Sequence, residues 1–245
     1  MTPRDELKAL LAQKELFIFD LDGTLFNTLG DLAPAVNYAM KQFGLQTHSN
    51  DDVRTFIGNG SVNLIRRAVA ANYIDVIKIR NFDEVAAVLE REGYSEERIK
   101  EIHKVYSEYY WEHCTENTEP YEGVVELIKR IANRAAMLTN KPIAPAQKIL
   151  EKFGLEKYFA TYLCGDTTPE RKPSPAGIFE ILRQTGIAPE KAIMIGDDTP
   201  DVLAAKNAGI DCIALFEGFG KAENLLPLAP RYTAGHIKDF AEFID

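Results

Sequence analysis

The sequence predicts an α/β protein: a doubly wound parallel sheet with an all-helical insertion after its first strand. Three observations carry this. The run "LFIFD" at residues 16–20 is a strand without polar alternation, as expected of a strand buried on both faces. From about residue 118 onward, helical and strand patterns alternate at the spacing of parallel βα units. Between these two regions, over residues 29–117, apolar residues recur at helical spacing and no convincing strand falls.

Taken in order, "ELKALLAQK" reads as a short amphipathic helix leading into that first strand. "DLAPAVNYAMKQFGL", "GSVNLIRRAVAANY", "FDEVAAVLEREGYS" and "EERIKEIHKVYSEYYWEHC" read as the helices of the insertion. After "TENTEPYEG" the alternation runs as helix "VVELIKRIAN", strand "AAMLTN", helix "PAQKILEKFGL" and strand "YFATYLCG". It continues with helix "AGIFEILRQTGI", strand "AIMIGD", helix "DVLAAKNAGI" and strand "CIALFEG". There is no internal repeat and no low-complexity tract.

Composition narrows the function classes. The 245 residues suffice for a large core with a smaller insertion. A net charge of −9 argues against binding to nucleic acid or to a membrane surface, which need basic patches. It leaves room for a small anionic substrate met by local positive charge. The three cysteines, Cys114, Cys164 and Cys212, are odd in number and form no CxxC pair, so neither a disulfide framework nor a zinc site is expected. Reduced thiols, a charged N-terminus without signal-peptide character and no run of 18 apolar residues lead to the expectation of a soluble cytoplasmic protein. A monomer or a homodimer fits equally.

Three strand ends carry polar residues: Asp20 with Asp22, Thr139 with Asn140, and Asp197 with Asp198. Doubly wound sheets bind ligands outside the carboxyl ends of their strands, so these clusters should converge although they lie far apart in sequence. Taken alone, an Asp after a strand is commonly a cap or turn residue. The "DLDGT" context changes that reading. Carboxylates at i and i+2 of an extended chain share a side, and like charges so close raise a pKa unless a cation lies between them. A divalent metal could keep one as an anionic nucleophile, while the other, with a raised pKa, gives and takes a proton. Gly23 permits the tight turn that follows, and Thr24 can cap or donate a hydrogen bond.

These residues resemble the motifs of the haloacid dehalogenase-like superfamily of phosphotransferases. "DLDGT" is similar to its first motif, Thr139 in "MLTNKP" to its second, Lys172 in "RKPSP" to its third, and Asp197 and Asp201 in "IMIGDDTPD" to its fourth. All four occur in order, and the resemblance covers essentially the whole chain. It implies a Rossmann-like core over residues 1–28 and 118–245, with a helical cap domain over residues 29–117 that closes over the site and selects substrate. It further implies that Asp20 attacks phosphorus and forms an aspartyl-phosphate, and that Asp22 is the acid/base. Mg²⁺ would be held by the Asp20 carboxylate, the Asp22 backbone carbonyl and Asp197. Thr139 and the Asn140 N–H would hold phosphoryl oxygens, Lys172 would neutralise charge on them, Asp201 would orient Lys172 or a metal-bound water, and Asp198 would support the site. Each has a plainer alternative: Lys172 as a solvated loop lysine, Thr139-Asn140 as a turn, Asp198 or Asp201 as a helix cap.

Asp22 disfavours dehalogenation, which needs no general acid, and leaves phosphatases and phosphomutases. "DDVRTFIGNGSVNLIRRAV" is similar to the matching stretch of phosphoglycolate phosphatases, so the substrate implied is a small phosphorylated metabolite such as 2-phosphoglycolate. Gly58, Asn59 and Gly60, opening a helix, could receive a substrate carboxylate on backbone N–H groups, or could be an ordinary turn. Arg54 and Arg66 are candidates for substrate charge or for a solvated face. The chain departs from that group at Asn27-Thr28, where relatives usually carry Asp-Ser, and residues 72–94 match no assignable pattern. The alternatives are a phosphomutase of the β-phosphoglucomutase type, a pyrophosphatase or other small phosphate ester hydrolase, and a degenerate member that only binds. The chain carries no GxxxxGK[ST], HExxH or GxSxG motif.

Overall fold

The computed structural model describes residues 2–75, 79 and 81–244. Contacts divide the chain into two compact units, one of residues up to 27 and from 119 onward, the other of residues 28–118.

The first unit is the α/β one. Helix α1 (Pro3–Leu11) opens with a capping box between Thr2 and Asp5 and leads into β1 (Leu16–Phe19). All four residues of β1 are buried, and alternate ones enter different apolar layers. Phe17 and Phe19 join Met137, Ile193, Ile195 and Ile213 on one face, whereas Leu16 and Ile18 join Leu138, Met194 and Ala214 on the other. Two apolar layers explain why the strand lacks polar alternation. A two-residue strand β2 (Phe26–Asn27) follows, and the chain then leaves for the helical unit.

That unit contains α2 (Leu29–Gln42), α3 (Asn50–Phe56), α4 (Ser61–Ala70), α5 (Phe82–Arg91) and α6 (Glu96–His113). Four hydrogen bonds on buried Asp31 hold its first and last residues together. Asp31 Oδ1 accepts from the backbone N–H and side-chain amide of Asn117 at 2.8 and 3.0 Å, and Oδ2 from the N–H and hydroxyl of Thr118, both at 2.8 Å. Within residues 72–94, which match no pattern of the resembling group, the helix expected over "FDEVAAVLEREGYS" is present as α5, while residues 76–78 and 80 lie outside the described residues.

The chain returns through β3 (Glu119–Pro120), which pairs antiparallel with β2. Then follow α7 (Val124–Arg130), β4 (Ala135–Leu138), α8 (Ile143–Lys152) and β5 (Phe159–Leu163). Next come α9 (Ala176–Thr185), β6 (Ala192–Gly196), α10 (Thr199–Ala208), β7 (Asp211–Leu215), α11 (Ala222–Leu225) and β8 (Tyr232–Ala234). The strands form one six-stranded sheet in the order β5-β4-β1-β6-β7-β8, every pairing parallel. The chain winds outward from β1 to β5, then crosses back to β6 on the other side. The switch point therefore lies at the carboxyl ends of β1 and β6.

The sequence reading lacked α3, α11, the β2–β3 ribbon and β8. Each is short. The ribbon strands have two residues each, and β8 is a three-residue, partly exposed edge strand without a recognisable apolar run.

Candidate active site

Each polar strand end is fixed by local chemistry. After β1 the chain turns sharply at Gly23, whose φ of +84° suits glycine. Its N–H donates to the Phe26 carbonyl at 2.9 Å, and Leu21 and Leu25 are fully buried beneath the turn. The turn presents Asp20 and Asp22 and brings Thr24 to β6, where its hydroxyl donates to Asp197 Oδ1 at 2.5 Å.

The β6 end is closed by α10. Asp198 is the N-cap, its side chain accepting from Thr199 N–H at 2.8 Å. Asp201, in the first turn, accepts the backbone N–H groups of Asp197 and Asp198 on Oδ2 at 3.1 and 3.0 Å. The plainer role foreseen for these two residues, helix capping, is therefore filled by both. Asp201 also reaches further, accepting from Lys172 Nζ on Oδ1 at 2.6 Å.

The loop after β4 brings the other components. Thr139 is 2% exposed and its Oγ1 accepts from Lys141 N–H at 3.2 Å. The Asn140 side-chain amide donates to the Lys172 carbonyl at 3.0 Å and accepts from the Lys172 N–H at 2.9 Å, gripping that residue's backbone. Lys172 Nζ stands 2.7 Å from Asp20 Oδ1 as well as on Asp201. Lys172 is thus no solvated loop lysine: only 5% of it is exposed.

Carboxylate oxygens of Asp20, Asp197 and Asp201 lie within 4.8 Å of one another. This is the one such acidic group among the described residues. The sequence reading placed Asp20 and Asp197 there and gave Asp201 a supporting role; the Asp22 carboxylate lies outside the group and pairs with Lys141. The Lys172 ammonium contacts two of these three buried carboxyl groups, Asp20 and Asp201, so that with all three ionised the group would carry two more negative charges than positive. Burial, opposed by Lys172 and reinforced by Asp201, pushes the Asp20 carboxyl up to about 7. Burial, then Asp201 and Asp20, push Asp197 well above the ordinary carboxylate value. Burial by itself would lower Lys172, but Asp20 and Asp201 outweigh it and hold its ammonium above the usual lysine value. The sequence placed a raised pKa on the proton-moving partner; burial in the acidic group raises that of Asp20, the expected nucleophile.

Two features escaped the sequence reading. Lys141 Nζ contacts both oxygens of Asp22, at 2.8 and 3.1 Å. The loop after β7 wraps Asp197, with the N–H groups of Phe219 and Gly220 donating to its Oδ2 at 2.8 and 3.4 Å. A Cβ at Gly218 would fall 2.3 Å from Asp197 Cβ, so only glycine lets this backbone approach. The "EGFG" spelling at 217–220 was the available signal.

Arg54, Gly58, Asn59 and Gly60 all belong to the helical unit. Arg54 is exposed in the last turn of α3. Gly58 and Gly60 have φ of +121° and +83°, and Gly60 is the N-cap of α4. Buried Arg67 fixes the approach to this turn by donating to the Phe56 and Ile57 carbonyls at 2.9 and 3.3 Å. Arg66 is ion-paired with Glu96 at 2.5 Å.

Comparison with known proteins agrees over nearly the whole chain. Residues 17–215 match the model of the haloacid dehalogenase-like hydrolase family. The chain is 34% identical over 234 residues to phosphoglycolate phosphatase 1 of Pseudomonas aeruginosa, covering 94% of this chain and 79% of that protein. It is 32% identical over 236 residues to the phosphoglycolate phosphatase of Psychrobacter arcticus, covering 95% of each. Among solved structures, a predicted phosphoglycolate phosphatase from Haemophilus somnus 129pt superposes with a TM-score of 0.81 at 29% identity, covering 95% of this chain and 99% of that one.

Proposed function

From the premise that the chain belongs to the haloacid dehalogenase-like hydrolase family, we propose that it is a Mg²⁺-dependent phosphatase hydrolysing a small phosphorylated metabolite such as 2-phosphoglycolate, through an aspartyl-phosphate on Asp20. The observation that carries this is the buried group of Asp20, Asp197 and Asp201 with one ammonium on two of them, which when ionised is two positive charges short of neutral. An all-oxygen carboxylate set with that deficit suits a hard divalent cation. Asp20 and Asp197 would hold it through carboxylates and Asp22 through its backbone carbonyl, with Asp201 alongside. When bound, Mg²⁺ would neutralise the excess charge and favour negative charge on a phosphoryl group.

The residues of the chain divide the chemistry as follows. An Asp20 oxygen bonds to phosphorus as the bond from phosphorus to the ester oxygen breaks, and Asp22 gives that leaving oxygen its proton. Asp22, now a carboxylate, takes a proton from water as the water oxygen bonds to phosphorus. The acyl-phosphate bond then breaks, releasing inorganic phosphate and restoring Asp20. Thr139 and the Asn140 N–H hold phosphoryl oxygens while Lys172, kept charged by its two carboxylates, neutralises them. Asn140 and Asp201 keep that ammonium in place, by its backbone and its head group respectively.

The two relatives named as phosphoglycolate phosphatases support a small phosphorylated acid as substrate. The test is phosphate release from a panel of phosphorylated acids, sugars and nucleotides, with Mg²⁺ and with EDTA. Release of phosphate from 2-phosphoglycolate that EDTA abolishes is the expected outcome. Conversion of a sugar 1-phosphate into its isomer without free phosphate would instead identify a mutase.

A further inference from the structure

The lysines of the site are distributed one to each aspartate of "DLDGT". Lys172 takes Asp20 and Lys141 takes Asp22. Lys141 has no part in the chemistry set out above, yet its side chain is only 3% exposed and Asp22 only 15%. Withdrawing an ammonium from water is costly, and an apolar residue of similar size would fill such a place without that cost. The charge at this position therefore calls for a reason beyond packing.

The geometry supplies one. Nζ stands 2.8 and 3.1 Å from the two Asp22 oxygens, so the carboxylate is restrained at both ends. The lysine starts from a fixed point. Its N–H donates to Thr139 Oγ1 at 3.2 Å, and its carbonyl accepts from Gly165 N–H at 2.9 Å, tying the loops after β4 and β5 together. Three consecutive residues thus set three parts of the site: Thr139 its hydroxyl, Asn140 the Lys172 backbone, and Lys141 the Asp22 carboxylate.

We propose that Lys141 is a positioning residue for the reaction, holding the Asp22 carboxyl group where, as the acid, it meets the leaving oxygen in the first half-reaction and, as the carboxylate, the attacking water in the second. The inference rests on the phosphatase reading above. A carboxylate free to turn about its two side-chain torsions would be in place for only part of the time. Misplacement of a reacting group by about 1 Å can lower a rate by roughly 10²-fold.

The test compares wild type with K141M, K141R, D22N and the K141M/D22N double variant, using Mg²⁺ and 2-phosphoglycolate. Folding of each is checked by circular dichroism. K141M should lower kcat by roughly 10²-fold with KM within about threefold of wild type. K141R should recover part of the loss, because a guanidinium can grip a carboxylate through two N–H groups. In the D22N background, K141M should cost nothing further, since its effect passes through the missing carboxylate. A folded K141M with wild-type kcat overturns the inference. So does an additional loss in the double variant, or a defect confined to KM, which would mean that Lys141 contacts substrate directly. A wild-type protein that releases no phosphate from any ester of the panel would refute the phosphatase reading, and this inference with it. Active wild type with unaffected K141M refutes this inference alone.

Discussion

Replacing Asp20 by asparagine should stabilise the metal-free protein at pH 8 while abolishing its activity. Asp20 is 9% exposed, and burial pushes its carboxyl up to about 7 from an ordinary value of 3.8. Between these two values the folded chain binds the proton more tightly than the unfolded chain. The contribution of Asp20 to stability is therefore fully present below about pH 4 and is lost as pH rises towards and through about 7. A difference of roughly 3 units, at about 1.36 kcal/mol each, makes the ionised carboxylate cost about 4 kcal/mol above that range. An amide removes this penalty but meets Lys172 less strongly, leaving an expected gain of about 2–4 kcal/mol. For a chain of this length that is roughly 5–10 °C in unfolding midpoint. Thermal unfolding in EDTA at pH 4, 6 and 8 reads it directly. The D20N and wild-type midpoints should separate progressively with pH, and Mg²⁺ should raise wild type more than the variant. A variant less stable than wild type at pH 8 in EDTA would refute the electrostatic account of the site, as would a difference independent of pH.

Thr24→Val should leave the fold intact but raise the Mg²⁺ concentration for half-maximal activity by roughly tenfold, because Asp197 loses its hydroxyl donor at 2.5 Å; a Mg²⁺ titration of activity shows this, and an unchanged midpoint counts against Asp197 as a ligand. Asp31→Ala should cost about 3–5 kcal/mol, since it strands buried donors of Asn117 and Thr118. Urea unfolding measures that loss, and a change below about 1 kcal/mol would show that the four hydrogen bonds contribute little.

The parts legible in sequence are those whose signal is local or periodic. The β1 run could be placed because both its faces enter apolar layers, and the sequential βα units after β3 wind as such units must. That is enough to put Asp20, Thr139 and Asp197 on one edge of the sheet. Lys141 could not be read this way. It stands next to Asn140 in the quoted "MLTNKP", but its partner lies 119 residues earlier, and nothing local distinguishes a buried lysine from a solvated one. The Phe219 and Gly220 N–H groups were hidden for a related reason: backbone donors carry no residue signature, and only the glycines beside them hint at a close approach. Strand β8 and the β2–β3 ribbon are too short for any period to show. The raised pKa on Asp20 depends on how deep each carboxylate lies, a quantity that spacing along the chain does not contain.

The most direct test of the central claim is phosphate release from 2-phosphoglycolate in Mg²⁺ by wild type and D20N, side by side with equal folded protein. Asp20 as the nucleophile requires the variant to fall at least about 10³-fold below wild type, since an amide cannot form the covalent phospho-enzyme. D20N turnover at the wild-type rate would contradict it.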